Sequence, residues 1–186
     1  MLSAGTTTDK VFDLVQKVRT RSAIPLTFMT YANVIFSYGI EAFAQKAAEV
    51  GIDGIILPDV PFEEANEFDV PFAAVGIDRI SMITPTSHER IATIAQKARG
   101  FVYCVSSLGV TGVRSNITTV KQQQDIPCAV GFGISTPEQA RNMAAQSDGA
   151  IVGSAIVKLC AQYGKDCVPY IEEYVRSMKE AVNQAQ

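Results

Sequence analysis

Six short apolar runs, at residues 24–30, 54–57, 79–84, 101–106, 127–130 and 149–152, limit what this sequence can fold into. Runs of this kind are buried on both faces, as strands of a parallel sheet covered by helices are. Helical patterns lie between them. Residues 8–18 place Val11, Phe12, Val15 and Val18 at helical spacing, with Thr8 as the cap. Residues 37–50 put Ile40, Phe43, Ala44, Ala47 and Ala48 on one face, and Gly51 stops them. Residues 63–75 are a weaker helix interrupted by Pro71. Residues 86–99 carry Ile91, Ile94, Ala95 and Ala98 behind a capping box of Thr86 and Glu89. Residues 108–124, rich in Gly, Thr and Gln, read as a connection with one short helix. Residues 168–184 end the chain as an amphipathic helix, apolar at Val168, Ile171, Val175, Met178 and Val182.

Strand then helix, repeated every 20–30 residues or so, is the cadence of a parallel α/β fold. A doubly wound sheet and a (β/α)8 barrel both fit it. Two glycine turns late in the chain favour the barrel. Gly131-Phe132-Gly133-Ile134-Ser135 and Gly153-Ser154 each close an apolar run and open a helix. The first continues Thr136-Pro137-Glu138, read with Ser135 as a capping box with proline in the first turn. Glycine lets backbone approach a ligand, and a helix N-terminus offers unpaired N–H groups and a positive dipole end. Two such turns on consecutive units suit a phosphate, which barrels bind after their last two strands. A complete barrel has eight strands and usually about 200 residues or more. This chain has 186 residues and starts with a helix that no strand precedes. The expectation is one domain over residues 1–186, an incomplete (β/α)8 TIM barrel with about six of its eight units.

Composition excludes several functions. The net charge is -3, without a Lys/Arg run, which argues against nucleic acid. No apolar stretch reaches the length of a membrane span, and the N-terminus does not read as a signal peptide. Cys104, Cys128, Cys160 and Cys167 form no CxxC pair, and His88 is the only histidine, so no zinc site is expected. The expected setting is reduced and cytoplasmic.

Barrel chemistry sits at the C-terminal ends of strands. Asp53, Asp78 and Asp148 precede strands and belong to the opposite face, leaving Asp59 as the carboxylate directly at a strand end. Glu63 and Glu64 read as acids at a helix start. Tyr31 and Tyr103 lie near strand ends, either as ligand donors or as core aromatics with a polar tip. Lys158 and His88 read as solvated polar residues. No convincing acid–base pair assembles from these residues.

Five stretches together resemble one family. Residues 100–114 include Leu108-Gly109-Val110-Thr111-Gly112, and residues 130–139 include the first glycine turn. Residues 149–158, Met29-Thr30-Tyr31-Ala32-Asn33 and Leu57-Pro58-Asp59-Val60-Pro61 match too, in the same order. All resemble the tryptophan synthase alpha chain, over nearly the whole sequence. That resemblance implies a TIM-barrel lyase that cleaves indole-3-glycerol phosphate to indole and glyceraldehyde 3-phosphate. It implies a beta-chain partner in an alpha2-beta2 assembly; pyridoxal phosphate belongs to that beta chain, with no cofactor in this one. Carried over residue by residue, Gly112, Gly133, Gly153 and Ser154 match phosphate-binding positions. Tyr103 and Phe132 match pocket residues, and Met29, Ile56 and Ile83 the indole-facing wall. Thr111 matches the loop threonine that helps hold the catalytic aspartate, and Asn33 and Asp59 match positions near the beta-chain contact.

The sequence departs from the family twice. The family's catalytic glutamate and aspartate lie on and after its second strand, and no matching stretch occurs here. Residues 115–125 look shorter than the family's helix, with Gln122-Gln123-Gln124 where an apolar stripe is expected. The implied reading is an alpha-chain sequence without its N-terminal strand–helix–strand portion, inactive by itself. The alternatives are a non-catalytic partner of the beta chain and another phosphate-binding barrel enzyme.

Overall fold

Five of the six apolar runs each form one strand, whereas residues 79–84, expected as a single strand, divide between two short strands, Asp78–Arg79 and Ser81–Ile83, in different sheets; the ladders described are parallel. The computed structural model describes residues 5–84, 87–105, 110–131 and 133–185. The chain divides into two compact units, Met1–Ser81 and Met82–Gln186. Each unit is α/β, with parallel strands and intervening helices, as the sequence predicts.

In the first unit, β1 (Thr27–Met29), β2 (Gly54–Ile56) and β3 (Asp78–Arg79) form one sheet in that order. Thr27 pairs with Gly54 and Met29 with Ile56. α1 (Thr8–Arg19) buries Phe12 and Val15 against this sheet's core. Thr7, not Thr8, caps it: Thr7 is extended and its hydroxyl accepts the Lys10 amide at 3.3 Å, whereas Thr8 is already helical. The Phe12 ring packs at an angle on Phe28, Tyr38 and Phe43, with centroids 5.7, 5.6 and 5.2 Å away.

The single helix expected from residue 37 is two: α2 (Ala32–Tyr38) and α3 (Ile40–Glu49). Gly39, at φ 92, breaks them apart; its amide closes on Ile35 O at 2.9 Å and its carbonyl receives the Phe43 amide at 2.8 Å. α4 (Asn66–Ala74) follows a 3-10 turn at Phe62–Glu64 and keeps Pro71 inside it. An internal proline costs about 3 kcal/mol or more. Burial of Phe68 and Phe72, one turn apart, offsets that cost.

In the second unit β4 (Ser81–Ile83), β5 (Val102–Val105), β6 (Cys128–Gly131) and β7 (Gly149–Ile151) form the other sheet in that order. Val105, Gly131 and Ile151 share one register row at the C-terminal end of this sheet. α5 (Ile91–Lys97) follows a 3-10 turn at His88–Arg90. The expected capping box there falls on Thr86, which lies outside the described residues.

The connection at 108–124 proves to be a full helix, α6 (Val110–Gln123). Val113, Ile117 and Val120 supply the apolar stripe that the glutamines had obscured. The glutamines serve another purpose. Gln124 Nε2 donates to the carbonyls of Ala95 and Ala98 at the end of α5, and Gln96 Nε2 donates to Gln123 Oε1 at 2.9 Å. α7 (Pro137–Ala144) packs on α9 (Val168–Asn183) around Ile134, Ala140 and Met178. Between them in sequence, α8 (Ser154–Tyr163) has no buried residue.

One device recurs in both units. The Asp148 carboxylate accepts the Cys128 amide at 2.7 Å while the Asp148 amide donates to Cys128 O at 2.9 Å. Asp53 does the same with Leu26, at 2.7 and 2.9 Å. Each aspartate precedes a strand and clamps the start of the preceding one. Their placement away from the strands' C-terminal ends agrees with a structural role.

Candidate functional site

The two glycine turns occupy equivalent places on neighbouring strands. Gly131 pairs with Ile151, so Gly133 and Gly153 each stand two residues past the same row of the β6–β7 ladder. Both are exposed, and a Cβ on either would meet nothing within 4 Å. They differ in backbone: Gly133 has φ 72, a left-handed conformation that a side chain would strain, while Gly153 has φ -127.

Their helix starts differ in chemistry as well. At α7 the capping box is made by Thr136 and Gln139, rather than by Ser135 and Glu138. Thr136 Oγ1 accepts the Gln139 amide at 3.2 Å, and Gln139 Oε1 accepts the amides of Ser135 and Thr136 at 2.8 and 3.2 Å. Those N–H groups are already engaged. At α8 no side chain caps the helix. The Val157 amide is the first to reach an acceptor within the turn, Gly153 O at 3.1 Å, so the amides of Ser154, Ala155 and Ile156 open the helix without intrahelical partners. The Ser154 hydroxyl is exposed beside them.

Tyr103 lies on β5 in register with Ala129, next to the strand that leads into the first turn. Its ring covers Gly131: a Cβ there would lie 2.6 Å from the tyrosine oxygen and 2.7 Å from Cε2. The first glycine of the turn is therefore required by a side chain rather than by a ligand, which the sequence did not distinguish. Burial pushes the Tyr103 hydroxyl above its usual pKa, so it stays a protonated donor. Ile83 on β4 is fully buried. Gly112 is exposed in the first turn of α6, with open space beyond its Cα. Phe132 lies outside the described residues, as do the side chains of Thr111 and His88. Lys158 is exposed, as its sequence context predicts.

The remaining candidates belong to the first unit. Met29 and Ile56 are register partners, Met29 largely exposed and Ile56 buried. Asp59 follows β2, and both its oxygens accept the Ala32 amide at 3.1 Å. The carboxylate thus caps α2 from a separate loop, a role that no local pattern around residue 32 reveals. Asn33 is exposed in that first turn, and its carbonyl accepts the Ser37 hydroxyl at 2.7 Å. Thr6, Val11, Phe28, Met29, Tyr31 and Val34 are among the residues lining an apolar cavity of ≈ 500 Å³. Among the described residues no cluster of three or more His, Cys, Asp or Glu could hold a metal ion. No helix among them is long and apolar enough to cross a membrane.

The sequence profile of the family described as tryptophan synthase alpha chain matches residues 1–183. The tryptophan synthase alpha chain of Lacticaseibacillus casei is 43% identical over 190 residues, covering 97% of this chain and 71% of the relative. That of Geobacter sulfurreducens is 45% identical over 195 residues, covering 97% and 72%. Among solved structures, the alpha chain of Legionella pneumophila superposes with a TM-score of 0.89 at 34% identity, over 98% of this chain and 72% of that one. A chain from the tryptophan synthase a2b2 complex of Pyrococcus furiosus gives 0.87 at 29% identity, over 96% and 76%.

Proposed function

This chain belongs to the tryptophan synthase alpha-chain family, and from that premise we propose that its glycine turns hold the phosphate of indole-3-glycerol phosphate. The family is a lyase of tryptophan biosynthesis. The reaction is aldol cleavage to indole and glyceraldehyde 3-phosphate. A phosphate at the open start of α8 meets the amides of Ser154 and its neighbours, the Ser154 hydroxyl and the positive end of the helix. Gly153 and Gly133 admit the anion because neither presents a side chain, and Gly112 completes the cradle. Ile83 and Tyr103, on adjacent strands of the second unit, stand on the indole side of that site. The observation that carries this reading is the common register of Gly133 and Gly153 on adjacent parallel strands.

Cleavage needs a base for the indole N–H proton and an acid for the ring carbon. Asp59 is the one strand-end carboxylate in these residues, and its oxygens hold α2. A polypeptide of these 186 residues alone therefore binds the phosphate without turning the substrate over. Asn33 and Asp59 lie toward the beta chain, which carries its own pyridoxal phosphate.

Calorimetry with glyceraldehyde 3-phosphate tests the cradle. Gly153→Val should weaken binding by at least about tenfold while leaving the melting temperature near that of the parent, since a side chain there meets nothing within 4 Å. Unchanged affinity refutes the placement. An indole-release assay on the same polypeptide tests the missing acid–base pair. Losing one such group commonly costs about 10²–10⁴ in rate, so turnover within tenfold of a relative would overturn it. Capture of beta chain on immobilised alpha polypeptide, weakened by Asn33→Ala, tests the partner assignment.

A further inference from the structure

Cys104 and Cys128 are buried in the sheet of the second unit, whereas Cys160 is exposed and Cys167 half-buried. The latter two meet at the corner between α8 and α9. Gly164, with φ 54, ends α8 by donating its amide to Cys160 O. Its carbonyl in turn accepts the Cys167 amide at 3.4 Å. Burial and the nearby Cys160 side chain raise the Cys167 thiol above its usual pKa. Three residues beyond each cysteine stands a tyrosine, and the Tyr163 and Tyr170 rings stack with centroids 3.7 Å apart and planes at 7°. That stack pins the last turn of α8 to the first turn of α9, so the segments that carry the two cysteines are held together by backbone bonds on one side and an aromatic pair on the other.

We propose that Cys160 and Cys167 form a dithiol site that closes to an intramolecular disulfide on meeting a small disulfide such as glutathione disulfide. The exposed Cys160 thiolate attacks one sulfur of glutathione disulfide and expels a glutathione thiolate, leaving a mixed disulfide. The Cys167 thiolate then attacks the Cys160 sulfur and expels the second glutathione. Two protein thiols lose two protons and two electrons, and one glutathione disulfide becomes two molecules of glutathione. Closure outcompetes a second encounter because the Gly164 backbone bonds and the tyrosine stack hold the two cysteines at one corner. Cys104 and Cys128 take no part, since burial keeps the oxidant from them.

The chain is exposed to glutathione disulfide under native conditions, alkylated and cut with trypsin. Lys165 lies between the two cysteines, so closure is read as a cross-link between peptides 159–165 and 166–176. The expected product is that cross-link within one chain, with Cys104 and Cys128 alkylated. Cys167→Ser should stop at a stable glutathione adduct on Cys160, and Cys104→Ser should change nothing. The native closure rate should exceed that in concentrated urea by about tenfold, because unfolding dilutes one thiol relative to the other. A persistent glutathione adduct on the parent chain, a cross-link between chains, or equal rates in urea would each overturn the proposal.

Discussion

At Gly131 one hydrogen atom stands where any side chain would strike the Tyr103 ring, within 2.6–2.9 Å of three of its atoms. Gly131→Ala should therefore destabilise the chain by about 1–3 kcal/mol, the usual range for overpacking. In a Tyr103→Ala background the same change should cost far less. Urea melts showing equal costs in both backgrounds would mean that the ring is not what excludes the methyl. Three glycines in this region thus serve three ends. Gly131 makes room for a tyrosine, Gly133 supplies a left-handed φ, and Gly153 keeps a helix start open. A sequence writes all three with one letter, and their motif pointed to the right turns without separating the reasons. Asp59 carries the same lesson: its position at a strand end was legible, but its bond to the Ala32 amide was not.

Strand pairs in this protein are joined by side chains as well as by ladders, and the Asp148 clamp has a consequence for pH. Burial alone would raise its carboxyl pKa; the Cys128 amide at 2.7 Å and the Lys121 ammonium at 2.9 Å outweigh it and hold the carboxyl below its usual range. The lysine shifts upward, its bond to Asp148 outweighing the opposing effect of burial. A depressed carboxyl stabilises the fold fully above its unfolded pKa of about 3.9 and loses that contribution as pH falls through the lower folded value. A raised lysine contributes fully below about 10.4 and loses its share as pH rises through the folded value. Asp148→Asn should accordingly lower the melting temperature at neutral pH by a modest amount, given an aspartate 45% exposed. The gap to the parent should shrink below about pH 4. A gap that stays constant through that range would show that the carboxylate charge does not matter. Among helices, α6 was underestimated because its length comes from burial of Val113, Ile117 and Val120, which outweighs the weak helix preference of its Thr, Gly and Asn.

Among the described strands, β1 is an edge of the first unit's sheet and β7 an edge of the second unit's sheet. Thr27 and Met29 on β1 are exposed, and neither strand carries a charge. Native edges are usually protected by charge, proline, a bulge or a covering element. Val157 and Val168, about two-thirds exposed, add unsatisfied apolar surface around α8. A polypeptide of these 186 residues should therefore self-associate when isolated, and a strand–helix–strand segment of a relative supplied in trans should reduce that association by pairing with β1. Size exclusion with light scattering decides it. A monodisperse monomer with one cooperative melt, unaffected by the added segment, would show that these edges need no cover.

Taken alone, the sequence determined the order and direction of the strands, because continuous apolar runs between helical patterns leave few alternatives to parallel pairing. It also located the two glycine turns, since glycine and capping residues act through the local backbone. Tertiary structure decided what depends on residues distant in the chain. The cap on α2 comes from Asp59, the need for Gly131 from Tyr103, and the length of α6 from the core beneath it. Such contacts form when folded strands bring distant residues within a few ångströms, and no pattern of neighbours along the chain encodes that distance.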